Sequence, residues 1–387
     1  MARSGGRRNN DDGATDGRER REATLRSHLF TVRVWKEEAA DGSEYRGSVR
    51  EVASGAFRNF RDWSDLPTFM IERVEEYEPG TDSASAKEAR MIAVMGAAGN
   101  VGSKVTDLLL RRSEEVRVFE HERKLEEFRE RGAERVRGDA TNVDDLRALF
   151  EDAVAALVLL PENLADPQFV TTRSEMSRAI ADAVRESQVS HVVALSAAGA
   201  DQEDVVGPPA GLREYEDRLF DLEDVNVLVL RSAFYMDYLL ANLPLIQSQK
   251  INGSAIRGDL RFPMVATRDV AHEAAERLAS RDFERHRVKL LLGPEDVSMR
   301  EATRAMGSLL GLPELPYVEF PPADMRGALL AAGMSEEAAS LLVDMQLALN
   351  EGRPFGEMRR TSEATTPTRL EEYLKHALGS SNAGGLR

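Results

Sequence analysis

From Met91 onward the chain repeats one pattern, a short apolar run followed by an amphipathic stretch, and holds it to about Arg231. The runs "MIAVM", "VRVF", "ERVRGD", "AALVLLP", "HVVALS" and "VNVLVLR" read as strands. Between them, "VTDLLLRR", "RKLEEFRER", "TNVDDLRALF", the stretch from Gln168 to Ser187 and that from Arg213 to Leu222 read as helices. Strands that are apolar along their whole length are buried on both faces, and parallel neighbours need a helical crossover between them. The pattern therefore predicts an α/β fold built on a doubly wound parallel sheet. Thr141 with Asp144, and Ser298 with Glu301, stand in capping-box spacing and mark two helix starts.

After Arg231 the alternation loosens into "FPMVATRDVAHEAAERL", "VKLLLG", "SMREATRAMGSLLG", "YVEF" and two further helical stretches. A small helix-rich C-terminal substrate lobe, mainly from 232 to 379, is expected to wall a cleft beside a core of about 90–231. Upstream, residues 28–78 read as a small α+β module. In it, "LFTVRVWKEE", "EYRGSVREV" and "GAFRNF" form a meander, and a helix is capped by Ser64. Its aromatics, Trp35, Tyr45, Phe57, Phe60 and Trp63, are the large side chains a very small core needs; stacking on bases is the other use for them. Residues 1–27 carry mixed charge and almost no apolar side chains, which predicts a disordered tail, with a linker at 79–88 and a short tail at 380–387.

The first strand runs directly into "GAAGNVG", and a helix with Val101, Val105, Leu108 and Leu109 on one face follows. Gly96, Gly99 and Gly102 in that context predict a dinucleotide cradle. The first permits a tight turn, the second lets the pyrophosphate approach, and the third brings helix against strand, with Ala97, Ala98, Asn100 and Val101 completing the loop. At the end of the second strand, "VRVFEHERK" supplies Glu120, which would hold ribose hydroxyls and favour NAD. His121, Arg123 and Lys124 follow at once and would suit a 2'-phosphate, so NAD and NADP both stay open. Phe234, Tyr235, Met236 and Tyr238 come just after the sixth strand, where strand ends open on the cleft, and predict an aromatic substrate pocket.

Several ordered segments together resemble the NmrA-like family of atypical short-chain dehydrogenases over about Arg90 to Leu378. They are "GAAGNVG", "GAERVRGDATNVDDLRALF", "VLLP", "HVVALSAAGA", "VLVLRSAFYMDYLL" and "VATRDVAHEAAERL". The resemblance implies a Rossmann-type domain that binds NAD or NADP. It further implies that Asp139, with Ala140 beside it, meets the adenine amino group, that Leu160 and Pro161 line the nicotinamide side, and that Ser196 and Ala197 lie near the reacting ring. Relatives usually place an arginine where this chain has His121, and many keep a lysine where it has Leu212.

Ordinary short-chain dehydrogenases pass a proton through a tyrosine four residues before a lysine. No tyrosine of this chain has that lysine. Ser196 and Tyr215 remain as candidate catalytic groups, Tyr215 as a tyrosine on a helix surface. An NAD(P)H-dependent oxidoreductase acting on a quinone or similar carbonyl acceptor is the leading expectation. A non-catalytic redox sensor that binds a regulatory protein, or a scaffold with a vestigial nucleotide fold, are the others.

Composition trims these classes further. The chain has no cysteine, which removes disulfides, thiolate nucleophiles and cysteine-ligated zinc, and its six histidines are scattered, so no metal site is expected. A net charge of -16 argues against a nucleic-acid or anionic membrane partner. With no signal-peptide core or membrane-length apolar run, a cytoplasmic location is expected.

Overall fold

Seven parallel strands form the central sheet: β1 (Met91–Val94), β2 (Val116–Glu120), β3 (Glu134–Arg137), β4 (Ala153–Val158), β5 (His191–Ala197), β6 (Asn226–Ser232) and β7 (His286–Leu291). The order across the sheet is β7-β6-β5-β4-β1-β2-β3, and every neighbouring pair is parallel. The chain enters in the middle, builds to one edge, returns beside β1, and builds to the other edge. That reversal between β1 and β4 leaves a crevice outside their C-terminal ends, the place where sheets of this kind receive ligands.

In this computed structural model, residues 30–39, 42–51, 57–60, 63, 66–70, 91–120, 126–202, 206–355 and 358–383 are described. The expected tail at 1–27, the linker at 79–88, the Ser64 cap, and His121, Arg123 and Lys124 lie outside them. The chain divides into two compact units, Met1–Ser85 and Ala86–Arg387.

In the first unit, the strands Phe30–Ala39, Gly42–Glu51 and Phe57–Phe60 pair antiparallel in sequence order. Val49, Phe60 and Phe69 form its buried centre, with Phe30, Leu66 and Met70 packed around them. Phe30 meets Phe69 edge-on at 6.4 Å, and the exposed Trp63 leans on Phe60 at 5.5 Å. Of the five aromatics expected to fill this core, Phe60 is buried in it and Trp63 is exposed, while the side chains of Trp35, Tyr45 and Phe57 lie outside the described residues.

Period-two alternation splits the second unit's strands cleanly between two layers. Met91 and Ala93 of β1, Ala156 and Val158 of β4, and Val192 and Ala194 of β5 face one core. Helices α3 (Val143–Phe150), α4 (Phe169–Arg185) and α5 (Ala210–Phe220) cover it through Phe150, Ile180 and Leu219. Ile92, Val94, Ala155, Leu157, Val193 and Leu195 face the other core, covered by α1 (Gly102–Arg111) and the helix Thr267–Ser280 through Val105, Leu109, Val270 and Ala274. The remaining short helix of the core, α2 (Glu126–Glu130), leads into β3.

Two local readings change. Helix α3 is capped by Asn142 rather than by Thr141. The Asn142 side chain accepts from the backbone N–H of Asp144 at 2.9 Å and of Asp145 at 3.4 Å, while the Thr141 hydroxyl turns back to Asp139. The core also extends past 231, because "VKLLLG" returns as β7 beside β6 and the helix Thr267–Ser280 lies on the sheet. The two edge strands, β3 and β7, carry several exposed residues and lack the all-apolar signature of the inner strands. The expected capping box at Ser298 and Glu301 is present with both of its hydrogen bonds.

The lobe holds its own core around Met236, Phe262, Met264, Met306, Tyr317 and Leu374. Its helices include Met299–Leu309, Pro322–Ala331, Glu336–Asn350 and Leu370–Ala383, the last running past the expected start of the terminal tail. Two small sheets, pairing Phe234–Tyr235, Arg261–Val265 and Asp296–Ser298, and Asn252–Ser254 with Tyr317–Glu319, tie these helices to the loops above the cleft. Among the described residues, no helix is long and apolar enough to cross a membrane.

Replacing Asn142 with alanine removes the α3 cap and is expected to lower stability by about 1 kcal/mol, whereas Thr141→Val should change it less. Urea unfolding of the two variants checks the order; equal losses would contradict the capping assignment.

Candidate functional site: a glycine cradle opening on an aromatic chamber

The three glycines of the loop answer different demands. Gly96 adopts φ +65°, a left-handed conformation that costs other residues energy, and Gly99 N–H closes the turn on Gly96 O at 2.8 Å. Gly102 opens α1 so close beneath the turn that a Cβ there would stand 2.2 Å from Gly96 O. At Gly99 a Cβ would touch only Gly96 O, at 3.2 Å, so what glycine keeps clear at that position is the cavity itself.

No side chain caps the N-terminus of α1, and its first turn carries no acid. An uncapped positive helix end behind a glycine turn is a fitting cradle for a pyrophosphate.

A cavity of about 1240 Å³ starts at this loop and crosses the C-terminal ends of the strands to the helices Pro322–Ala331 and Glu336–Asn350. It exceeds the ~300–1,000 Å³ of a usual small-molecule pocket, enough for a cofactor and a second molecule. Gly96, Ala98, Gly99, Asn100, Val101 and Gly102 are on its wall, and Ala97 is buried in the core beneath.

Farther along the wall come Asp139 and the buried Ala140. Asp139 Oδ1 accepts from Thr141 N–H at 2.9 Å and Thr141 Oγ1 at 2.8 Å, a turn that fixes where its carboxylate sits. Glu120 ends β2 opposite Arg137 in the ladder. Its neighbour Phe119 reaches the cavity and was not anticipated from sequence.

Leu160, Pro161 and Ser196 line the middle of the cavity, and Phe234, Tyr235 and Tyr238 line the chamber beyond. The aromatics brace one another: Phe234 meets Tyr238 edge-on at 5.3 Å and Phe262 at 5.5 Å, and Tyr235 leans on Tyr238 at 5.6 Å. Burial pushes the Tyr235 phenol up to about 12, and the partial enclosure of Tyr238, which stays 45% exposed, raises its phenol as well, so both keep their protons at neutral pH. Met325, Met345 and Phe355 close the chamber from the lobe; helical spacing alone could not separate them from lobe core.

The sequence profile of the NAD(P)H-binding family matches residues 96–280. This segment is an NAD(P)H-binding domain. That agrees with the resemblance to NmrA-like atypical dehydrogenases and makes NAD(P)H the cofactor. No curated protein matches the chain in sequence.

Among solved structures, the NADPH-dependent quinone oxidoreductase of Escherichia coli in complex with NADPH superposes with a TM-score of 0.63 at 20% identity, covering 74% of this chain and 100% of that one. The triphenylmethane reductase of Citrobacter sp. gives 0.64 at 19% identity, covering 75% and 99%. The Bordetella bronchiseptica enzyme WbmH, in complex with NAD+, gives 0.53 at 15% identity, covering 76% and 99%. At these identities the likeness establishes the fold.

Within the NAD(P)H-binding domain the two candidate catalytic groups fare differently from expectation. Tyr215 is not on a helix surface. It is completely buried in the core, does not reach the cavity wall, and its hydroxyl has no hydrogen-bond partner. Burial, with Glu216 adjacent, holds its phenol well above the ordinary pKa. The i, i+3, i+7 spacing of Leu212, Tyr215 and Leu219 carried that signal, and the acids on either side obscured it.

Ser196 does face the cavity, but its hydroxyl donates to Glu216 Oε1. Glu216, only 3% exposed at its side chain, receives Arg231 Nε at 3.1 Å and Nη2 at 2.5 Å, and Arg231 Nη1 pairs with Asp201 at 2.7 Å. The serine proton is therefore committed, and Ser196 offers the cavity an acceptor rather than a donor. Where many relatives keep a lysine, Leu212 lies on the wall and adds apolar surface.

Two outcomes follow for substitution. Tyr215→Phe deletes a buried hydroxyl that has no partner, so stability should be unchanged or slightly higher and nucleotide affinity unchanged; a loss of more than about 1 kcal/mol would mean the hydroxyl is paired. Gly99→Val should abolish NAD(P)H binding, read by fluorescence titration, while leaving the circular dichroism spectrum intact, and retained affinity would refute the cradle assignment.

Proposed function

We propose that this protein is an NAD(P)H-dependent oxidoreductase that reduces a quinone or a similar planar carbonyl compound, with water as the proton source. The observation that carries the reading is the continuity of the cavity: one wall is the glycine cradle, and the other is an aromatic chamber with no Tyr-Lys pair facing it. The quinone oxidoreductase and triphenylmethane reductase that share the fold support it, since by name one acts on quinones and the other on conjugated dyes.

Bound NAD(P)H supplies a hydride, and the protein's own residues do the rest. Backbone N–H groups at Gly96 to Gly102 and the start of α1 hold the pyrophosphate. Asp139, with Ala140, takes the adenine end, and Glu120, with His121 and Arg123 following it in the sequence, are the residues we assign to the ribose or its phosphate. Leu160 and Pro161 support the nicotinamide side, and Ser196 accepts a hydrogen bond there through its oxygen.

Phe234, Tyr235 and Tyr238 sandwich the acceptor and exclude bulk water from its ring. Tyr238, protonated across the physiological range, donates to the acceptor's carbonyl oxygen as that oxygen gains charge. A quinone needs little further help, because the oxyanion it becomes is delocalised and takes its proton from water.

Titrating the protein with NADH and with NADPH, then following cofactor absorbance against a panel of quinones, tests this. Saturable binding of one nucleotide with turnover of at least one quinone is expected. Binding without turnover of any acceptor would replace the enzyme reading by a redox sensor. Tyr238→Phe should lower kcat/KM roughly fivefold, the value of one hydrogen bond of about 1 kcal/mol.

A further inference from the structure

Arg173, on α4, is 5% exposed and lies on the cavity wall. Nη1 donates to Pro208 O at 2.9 Å, and the Phe169 ring lies under the guanidinium at 5.1 Å. Nε is buried and has no hydrogen-bond partner. Among the described residues Nη2 makes no hydrogen bond and no carboxylate forms an ion pair with this arginine. Glu162, the acid whose field reaches it, stands beyond ion-pair distance and is itself exposed on the wall.

A guanidinium held out of water without a counter-charge is costly, and buried charges are paired as a rule. Arg231 in the same domain follows that rule, with Glu216 on one side and Asp201 on the other. In Arg173 the bond to Pro208 occupies Nη1 and Nε is enclosed, which leaves the N–H groups of Nη2 to meet a carboxylate. Arg173 and Tyr238 line the same cavity.

We propose that Arg173 is the anchor of an anion subsite in the acceptor chamber, and that the acceptor is a planar carbonyl compound bearing a carboxylate that docks on Nη2. The proposal rests on the reading of this chamber as the acceptor site. It adds a specificity that the aromatic walls cannot supply, because they take any flat apolar ring.

The test is binding, so that it stands apart from turnover. The nucleotide-saturated protein is titrated by calorimetry with 2-naphthoate and with methyl 2-naphthoate, which share a ring and differ in charge. The acid should bind at least tenfold tighter than the ester. Arg173→Met should cost the acid at least tenfold while moving the ester less than twofold, and Arg173→Lys, which keeps the charge and loses the guanidinium, should fall between.

Equal affinities in the unaltered protein, no measurable binding of naphthoate, or a preference for the acid that survives Arg173→Met would each overturn the subsite. Should Arg173→Met fail to fold, the acid-to-ester ratio of the unaltered protein decides by itself. A chamber that prefers the acid yet turns over no quinone would leave the subsite standing and remove the reductase reading.

Discussion

The approach of α1 to the end of β1 is the contact on which the site depends. Gly102 lets the helix begin almost in touch with Gly96 O, and the turn at Gly96 in turn leans on Leu159 at the end of β4. With that contact made, the positive end of α1 sits over the crevice between β1 and β4, the one position in the sheet where neighbouring connections diverge. A bulkier residue at 102 would lift the helix, and the N–H groups would no longer converge on one place. The cavity's position follows from sheet order, and its chemistry at this end follows from a missing side chain.

Two arginines, Arg173 buried and Arg231 nearly so, show how one domain treats the same charge in opposite ways. Arg231 is satisfied: two carboxylates neutralise it, and the Ser196 hydroxyl completes the network on Glu216. Such a cluster stabilises little in net terms, since desolvation offsets most of the attraction, but losing any one member leaves a buried charge unpaired. It holds β5, β6 and α5 in register beneath the chamber and removes Ser196 from proton transfer. Arg173, in contrast, carries its charge with one carbonyl and an aromatic face for company, so its remaining valence points to a group the protein itself does not provide.

Much of the domain was legible before any coordinates. The inner strands β1, β4, β5 and β6 announce themselves as apolar runs because both their faces are covered. The glycine turn was legible because glycine meets the dihedral at Gly96 without strain and alone gives the clearance at Gly102. The seventh strand was harder to place, since an edge strand needs fewer apolar residues, and so was the cap of α3, where Thr141 and Asn142 both have the right chemistry and only the backbone path chooses Asn142. Tyr215 was misread for a related reason: flanking acids suggest a surface, yet Glu216 is itself drawn inward by Arg231, a partner fifteen residues away.

What the sequence by itself determined is the layering of the fold and the place of the glycine turn, because both come from local rules: periodicity, strand-to-helix turns and the sterics of glycine. What only the tertiary structure decided is which polar side chains are free to act. Ser196, Glu216, Arg231 and Arg173 are ordinary residues in the chain. Whether each is satisfied or left with an open valence depends on partners brought from different strands and helices, and no local pattern encodes that pairing.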